Sequence, residues 1–331
     1  MEGPERGPPH FGAGTIEQER PHERYPSGTG TEGQGLNEPS RPSSGGASSS
    51  ELPGAPLDVA IVGAGRVGCS IGRSLLAAGH RVVAATVART DSAKRVFDAL
   101  GRIPLVRSED AALSASVVVC AVPDDALLDT ATRVAKGLEP GAVVVHTSGI
   151  SGAEALSACG PNVAAIHPAQ TIPEPTTDLG GVFFGVTAPE HMKPWAAWFV
   201  GELGGTPVDI PEGSRVLYHA ALAMASNFTV TIAGDAADLL GDRAMLAPLI
   251  GQSVENVARL GADEALTGPI VRGDAGTVRK HLAALTAGAP HLLESYVANA
   301  RRTLDRAVRS GRLDASKARA VAEALEEALV R

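Results

Sequence analysis

Three glycines with a fixed spacing follow directly on an apolar run near residue 60. They form Gly63-x-Gly65-x-x-Gly68, after Val59-Ala60-Ile61-Val62 and before a sequence compatible with a helix. A strand, a tight turn and a helix start place unpaired backbone N–H groups and the positive end of a helix dipole against an anion. The pattern therefore predicts a site for the pyrophosphate of a dinucleotide. The residues expected to contact it are Gly63, Gly65, Arg66, Val67 and Gly68.

The residues after the second predicted strand indicate which dinucleotide is bound. An acidic residue about 20 positions beyond the glycines would bind the ribose 2′-hydroxyl of NAD. Arg89 stands there instead, followed by Thr90 and Ser92, while the acid Asp91 comes slightly late. A guanidinium and hydroxyls can hold a 2′-phosphate. We therefore expect NADP as the cofactor, and the alternative for Arg89 is a solvated surface arginine.

Polar residues follow three further apolar runs, where predicted strands end. These ends read Val122-Pro123-Asp124, Thr147-Ser148-Gly149 and His167-Pro168. Ligands bind beyond the carboxyl ends of the strands in an open parallel sheet. We expect Val122 and Pro123 to contact the dinucleotide. We expect Ser148 to contact substrate or nicotinamide, and His167 to act in catalysis or only in local hydrogen bonds.

A long apolar helix carries the next polar group. At about 100° per residue, Ser226 lies within about 20° of His219, and Asn227 within about 80°. Buried without partners, these groups would be costly. They form hydrogen bonds in a core, or they line a substrate cleft in which His219 donates a proton, since histidines titrate near neutral pH.

A turn between later helices contains Arg272 and Asp274. The planar guanidinium of an arginine suits a carboxylate, so both residues are expected at the substrate. The alternative is a structural ion pair between Arg272 and Asp274. Asp274 with Thr277 also has the pattern of a helix N-cap, and so does Asp314 further along the chain.

The elements that must position these residues fall into two classes. Strands and helices alternate up to about residue 210, and only helices follow, which predicts an α/β, Rossmann-type parallel-sheet domain and then an all-α domain. The predicted domains are 55–210 and 211–331, after a disordered tail at 1–54 that is rich in Gly, Pro and Ser. The predicted strands are 58–62, 81–87, 104–106, 117–121, 142–146 and 163–166, with edge strands at 182–186 and 207–210.

Composition excludes several classes of protein. The 331 residues carry a net charge of −8 without a basic block, which argues against nucleic acid as a partner. The three cysteines are far apart, so we expect reduced core residues in a cytoplasmic protein and no metal site. The apolar stretch Leu217 to Gly234 contains polar residues, so we expect a buried helix and not a membrane span.

With these motifs in hand, the chain resembles bacterial proteins that join a Rossmann-like domain to a helical domain of the DUF2520 type. The resemblance covers about residues 56 to 310, and its motifs are GAGRVG at 63–68, AVPDDAL at 121–127, HTSG at 146–149, HPAQT at 167–171, YHAALAMASN at 218–227 and LTGPIVRGD at 266–274. Such proteins are similar to the superfamily of β-hydroxyacid dehydrogenases, pyrroline-carboxylate reductases and ketopantoate reductases.

The resemblance implies an NADPH-dependent reductase of a small 2-oxo acid, with 2-dehydropantoate, a precursor of pantothenate, as the leading candidate. His219 would then donate the proton, Asn227 would orient the carbonyl and Arg272 would hold the carboxylate. Ketopantoate reductases carry a catalytic Lys four residues before the Asn, and here Ala223 stands in that position. A catalytically silent NADP-binding sensor or partner-binding protein and an imine reductase are therefore alternatives. Helical domains of this type often pair, which suggests a homodimer.

Overall fold

The computed structural model describes residues 56–88 and 92–328. The expected disordered tail at 1–54 lies outside the described residues. The same holds for Arg89 and Thr90, the residues expected to hold the 2′-phosphate of the cofactor.

One seven-stranded sheet organises the first part of the chain. Its order is β2-β1-β3-β4-β5-β6-β7. All neighbours are parallel except β5 and β6, which run antiparallel. This confirms the predicted Rossmann-type α/β fold. The strands expected at 182–186 and 207–210 both form, but only the second is an edge strand, since β6 lies between β5 and β7. The strands are β1 (Asp58–Val62), β2 (Arg81–Ala85), β3 (Val117–Cys120), β4 (Val143–His146), β5 (Val163–Pro168), β6 (Phe183–Thr187) and β7 (Thr206–Asp209).

Continuous apolar runs form the centre of this sheet. Every residue of β3 and β4 is buried, because helices cover both faces of a parallel sheet. The expected strand at 104–106 is wrong, since Leu105 makes only an isolated bridge to Ala85. Pro104 has no N–H to donate. The segment therefore makes only two hydrogen bonds to Ala85: the Pro104 carbonyl accepts from Ala85 N, and Val106 N donates to the Ala85 carbonyl.

Helices cover the sheet and then make up the rest of the chain. The helices are α1 (Arg66–Ala77), α2 (Ala93–Leu100), α3 (Ser108–Ala111), α4 (Leu127–Val134), α5 (Lys193–Glu202), α6 (Arg215–Ala223), α7 (Thr229–Leu240), α8 (Leu246–Leu260), α9 (Ala262–Ala265), α10 (Pro269–Arg272), α11 (Ala275–Gly288), α12 (Leu293–Arg309) and α13 (Ala315–Glu327). Short 3-10 turns lie at Ala112–Ser114, Asp124–Ala126, Ala153–Cys159, Glu190–Met192, Glu212–Ser214 and Pro290–Leu292. A π-helical turn, Met224–Phe228, joins α6 to α7.

Two predicted N-caps are confirmed in the helical part. Asp274 Oδ1 accepts from Thr277 N at 2.9 Å, and Asp314 Oδ1 accepts from Lys317 N at 3.0 Å. These carboxylates satisfy N–H groups that have no partner within the helix. Helices α10 to α13 then enclose an apolar core of their own, built around Val278, Val297 and Val321.

The helices between residues 212 and 260 contribute no side chain to the buried clusters of the described chain. We call this segment, from Glu212 through α8, the apolar arm. Its first helix, Glu212–Leu240, spans 29 residues with a mean hydropathy of 1.3, so it is long and apolar enough to cross a membrane. None of the most apolar 18-residue stretch of this helix is buried. The expectation of a buried helix at Leu217–Gly234 is therefore wrong. Its apolar side chains face outward, and α10 to α13 form their core without it.

Candidate functional site

The glycine turn after β1 depends on close approach between strands. Gly63 has φ 91°, and a Cβ there would lie 2.6 Å from the carbonyl oxygen of Ala121, at the end of β3. A Cβ on Gly68 would collide with the carbonyl oxygen of Gly63. A Cβ on Gly65 would meet nothing within 4 Å. Two glycines are thus required by packing, and the third leaves open space above the N-terminus of α1.

A trough runs from this open space along the carboxyl ends of the strands. A first cavity of about 460 Å³ includes Gly63, Gly65 and Ser92, and a second of about 590 Å³ includes Arg66 and Val67. The two share Gly65, Arg95, Ala121, Val122 and Pro123. The structure therefore brings together the predicted cofactor contacts that it describes in one elongated site, the shape that a dinucleotide requires, except Gly68, which is buried and lines neither cavity.

Three arginines that the sequence analysis missed line the first cavity. Arg95, on α2, lines both cavities, while Arg107 and Arg133 line the first. Arg107 also pairs with Glu109, and Arg133 with Asp129. Guanidinium groups here favour phosphate oxygens. The position of Arg95, one turn into the helix after β2, was a usable signal because that helix starts at the carboxyl edge of the sheet.

Two histidines meet at the inner end of the trough. The ring centroids of His167 and His219 lie 5.8 Å apart, with the planes at 84°. A Cβ on Gly149 would collide with both rings, so this glycine permits their approach. His167, Gly149 and His219 all line the second cavity, as does Ser148. The structure thus unites residues from two strand ends with the helix of the following segment.

Tyr218 is a further member of this group that sequence analysis did not select. Its Oη lies 3.0 Å from His167 Nδ1, and burial raises the pKa of the phenol. A hydroxyl that stays protonated can donate to a neutral imidazole. The available signal was its position directly before His219.

Burial sets the charge of His167. Desolvation first, then the positive charges of Arg215 and His219, lower the pKa of His167 to about 4. Removal from water disfavours the imidazolium form, and nearby cations disfavour it further. His167 is therefore neutral at neutral pH and can serve as a hydrogen-bond donor or acceptor.

His146 is a structural residue. It is fully buried, its Nδ1 accepts from Ser148 N at 3.1 Å, and its Nε2 faces the carbonyl oxygen of Gly152 at 2.8 Å. Accepting at Nδ1 leaves the hydrogen on Nε2, where it is donated to that carbonyl. Burial lowers the pKa of His146 to about 4. The imidazole thus holds the turn after β4 in shape, and Ser148 Oγ continues this by accepting from Ser151 N at 3.0 Å.

Ser226 and Asn227 do not join the histidine pair. They lie in the π-helical turn, where Ser226 Oγ donates to Asn227 Oδ1 at 2.9 Å, and Asn227 is exposed. Neither lines the cavity that contains His219. The expected shared face assumed 3.6 residues per turn, and a π turn adds one residue, which rotates everything after it.

Arg272 and Asp274 also lie apart from this cavity. Both are exposed. Asp274 accepts from Thr277 N and Thr277 Oγ1 as the cap of α11, and no ion pair joins it to Arg272. The structure supports the capping role of Asp274 and brings neither residue to the histidines.

Comparison with protein families identifies two domain types. A model described as a Rossmann-like domain matches residues 43–168, and one described as a domain of unknown function, DUF2520, matches residues 182–303. The chain therefore carries a Rossmann-like domain and a DUF2520 domain, which confirms the resemblance noted from its motifs. No curated protein matches the chain.

Solved structures share the fold at low identity. A candidate NADP oxidoreductase, BF3122 from Bacteroides fragilis, is 21% identical with a TM-score of 0.68, over 75% of this chain and 98% of its own. Protein TM1727 from Thermotoga maritima is 23% identical with a TM-score of 0.58, over 76% and 99%. Pyrroline carboxylate reductase from Plasmodium falciparum, solved with NADP bound, is 14% identical with a TM-score of 0.51, over 82% and 97%.

Substitutions at Gly63 and Gly65 should distinguish the role of the turn in folding from its role in cofactor binding. We expect Gly63→Ala to lower the free energy of unfolding by more than about 1 kcal/mol, since it combines a left-handed φ with a backbone collision. We expect Gly65→Ala to unfold like the unsubstituted protein but to bind NADPH more weakly, since its methyl group enters the open space. Urea unfolding and calorimetric titration measure the two effects, and equal stability of both variants contradicts the first expectation.

The buried imidazole of His146 and the partly buried imidazole of His167 make stability depend on pH. The pKa values of His146 and His167 are about 4 in the folded protein and about 6.5 in an unfolded chain. The unfolded state therefore binds more protons between these values, so stability is complete above pH 6.5 and falls toward pH 4. For His146 the full loss is on the order of 3 kcal/mol. Urea unfolding at several pH values should show a shallower slope for His146→Gln, while His291→Gln, at an exposed position, keeps the original slope.

Proposed function

We propose that this chain is an NADP-dependent oxidoreductase that reduces a small 2-oxo acid. The observation that carries the proposal is the continuity of the trough, which joins a glycine turn flanked by arginines to a pair of histidines. A dinucleotide lying along it would have phosphates at one end and its reactive ring at the other. The names of the structural relatives from Bacteroides and Plasmodium agree with this reaction class.

The residues of the trough fit NADP chemically. The amides at the start of α1, together with Arg66 and Arg95, would hold the pyrophosphate. Arg89, Thr90 and Ser92 would hold the 2′-phosphate, as their residue types indicate. Val122 and Pro123 would bound the cofactor on the side of β3. Bound NADPH would supply a hydride to the carbonyl carbon of the substrate.

The histidine pair would handle the proton. His219 would donate it to the carbonyl oxygen as that oxygen gains negative charge. Neutral His167 would donate a hydrogen bond from Nε2, because its Nδ1 faces the hydroxyl of Tyr218 at 3.0 Å. Ser148, at the same cavity, would contact the substrate or the nicotinamide.

The substrate assignment rests on the reaction class and on neutral hydrogen-bond donors. Arg66 and Arg95 are assigned to the pyrophosphate, and the second cavity also contains Asp124. The substrate carboxylate would therefore be held by donors such as Ser148 and Gln170. Arg272, which was expected to hold that group, does not line the cavity. The 2-dehydropantoate of pantothenate synthesis is therefore one member of a panel of 2-oxo acids, and cyclic imines belong to the same panel because of the pyrroline carboxylate reductase fold.

A catalytically silent NADP-binding protein is the second candidate. Ala223 stands where related reductases carry a catalytic lysine, and Asn227 lies outside the cavity of the histidines. Both observations remove groups that reductases of this kind use. NADPH binding without turnover on any substrate of the panel would favour this candidate.

The apolar arm favours a homodimer. Large apolar side chains that are at least 44% exposed cover it, namely Val216, Leu217, Met224, Phe228, Val230, Ile232, Leu239, Leu240, Met245, Leu249, Val254, Val257 and Leu260. At about 80 Å² each they present roughly 1,000 Å², against about 800 Å² per partner in a stable interface. An apolar groove of about 570 Å³ between α7 and α8, lined by residues such as Ile232, Leu249 and Val257, has the form that receives a helix.

A second copy suits this surface better than a lipid bilayer does. The arm carries Asp235 and Asp238 on α7 and Glu255 and Arg259 on α8, and charged side chains are costly at the centre of a membrane. Its first helix also begins at the histidine site. The reduced thiols of Cys69, Cys120 and Cys159 fit a cytoplasmic location for such a dimer.

The reaction is tested by mixing the protein and NADPH with 2-oxo acids and cyclic imines while following absorbance of the reduced cofactor. We expect turnover with 2-oxo acids, and a fall of at least about 100-fold in His219→Ala with unchanged NADPH affinity. His291→Ala, at an exposed position away from the trough, should keep full activity. Arg89→Ala should weaken NADPH but not NADH. The proposal fails if neither coenzyme binds.

The dimer is tested by light scattering after gel filtration. We expect the mass of two chains for the unsubstituted protein and of one chain for Val230→Lys. Leu128→Lys is the matched control, since Leu128 on α4 and Val230 are both 67% exposed. Circular dichroism should show that both variants are folded. A monomeric unsubstituted protein overturns the proposal, and sedimentation of that monomer with phospholipid vesicles would assign the arm to a membrane.

A further inference from the structure

Arg215, the first residue of α6, is a buried cation without an acidic partner. Its side chain is 1% exposed, and no carboxylate among the described residues forms an ion pair with it. A buried charge is costly unless its hydrogen bonds are satisfied. Arg215 meets that condition with backbone oxygens alone, since Nε, Nη1 and Nη2 donate to the carbonyls of Ser151, Gly185 and Ser148 at 2.9, 3.1 and 2.6 Å.

These three carbonyls belong to different parts of the site. Ser148 and Ser151 lie in the turn after β4, and Gly185 lies in β6, beside β5 and directly opposite His167. The guanidinium carbon lies 5.5 Å from the ring centroid of Tyr218. One side chain thus joins the turn that supplies Ser148 and Gly149, the strand next to His167, and the helix that supplies Tyr218 and His219.

We propose that Arg215 is the positioning residue of the histidine pair, holding the turn after β4 and strand β6 against the first turn of α6 and so setting where His167, Tyr218 and His219 meet. The fit at this joint is tight. A Cβ on Gly185 would lie 2.5 Å from Tyr218 Oη, and one on Gly149 would collide with both imidazoles. A planar guanidinium with three fixed directions holds such a joint, whereas an ammonium group cannot reach three separated carbonyls in the same way.

The charge of Arg215 has a second effect at the same place. The charged and titratable groups that act on His167 are Arg215, His219 and His146, which lower its pKa, and Asp124, which raises it. The largest cause is burial, and Arg215 is the first of the charges. Removing the guanidinium charge should therefore move the pKa of His167 upward, toward the ordinary value of a histidine.

The two effects are separated by two substitutions. Arg215→Gln removes both the positive charge and the three hydrogen bonds of the guanidinium. We expect a higher His167 pKa and a loss of turnover of about tenfold or more. Arg215→Lys keeps the positive charge but cannot form all three hydrogen bonds, so we expect turnover to fall while the His167 pKa stays low. Selective NMR of labelled histidines gives the pKa, with His167→Asn to assign the signal. Arg302→Gln is the control, since Arg302 is an exposed arginine paired with Asp305.

This inference rests on the proposed function only for the turnover measurement. The NMR spectra need no substrate: altered ring signals of His167 and His219 in Arg215→Lys, with the His167 pKa still low, would retain Arg215 as the positioning residue in a protein without activity, while the reductase proposal fails. If Arg215→Gln does not fold, Arg215→Ala with added guanidinium replaces it, and recovery of the His167 pKa and of turnover is expected. A folded Arg215→Gln variant with unchanged His167 pKa and unchanged turnover overturns the inference.

Discussion

The contact between the turn after β1 and the end of β3 is the constraint on which the site depends. Gly63 adopts a left-handed φ there, with the Ala121 carbonyl where a side chain would begin. This contact lets α1 start at the edge of the sheet, with its amides over open space. Because the neighbouring strands are parallel, β3, β4 and β5 end at the same edge, and each delivers its polar turn to one trough. The predicted cofactor contacts and the histidines are joined by this geometry.

Much of the fold could be predicted from the sequence because its strands are unbroken apolar runs. Valine-rich segments such as β3 and β4 can only be buried on both faces, and that requires a parallel sheet covered by helices. Pro104 shows where the same reasoning fails, since this apolar tripeptide, whose first residue has no N–H, forms a bridge and no strand. The caps at Asp274 and Asp314 were predictable because they depend only on residues within one turn.

The candidate site was predictable where it depends on chain order and not where it depends on helix phase or burial. His167 lies at the end of a strand, and Ser148 and the glycine turn come just after strands, so their placement follows from the sheet. Ser226 and Asn227 lie within a π turn that no local pattern predicted, so the helical phase assumed for them was wrong. The burial of Arg215 could not be predicted from the sequence either, because its partners are backbone carbonyls from distant segments. The apolar sequence of a helix does not indicate which surface covers it, so the exposure of the apolar arm could be recognised only from the structure.

The π turn at Met224–Phe228 couples two properties of the helix that contains it. His219 lies before this turn, and most of the outward apolar side chains lie after it. Removing a single residue from the turn would restore regular helical winding and rotate α7 by about 100° about its axis, with His219 unmoved. The direction in which the proposed dimer surface faces relative to His219 is thus set by one inserted amino acid, so a one-codon deletion would reorient that surface while His219 stays in place.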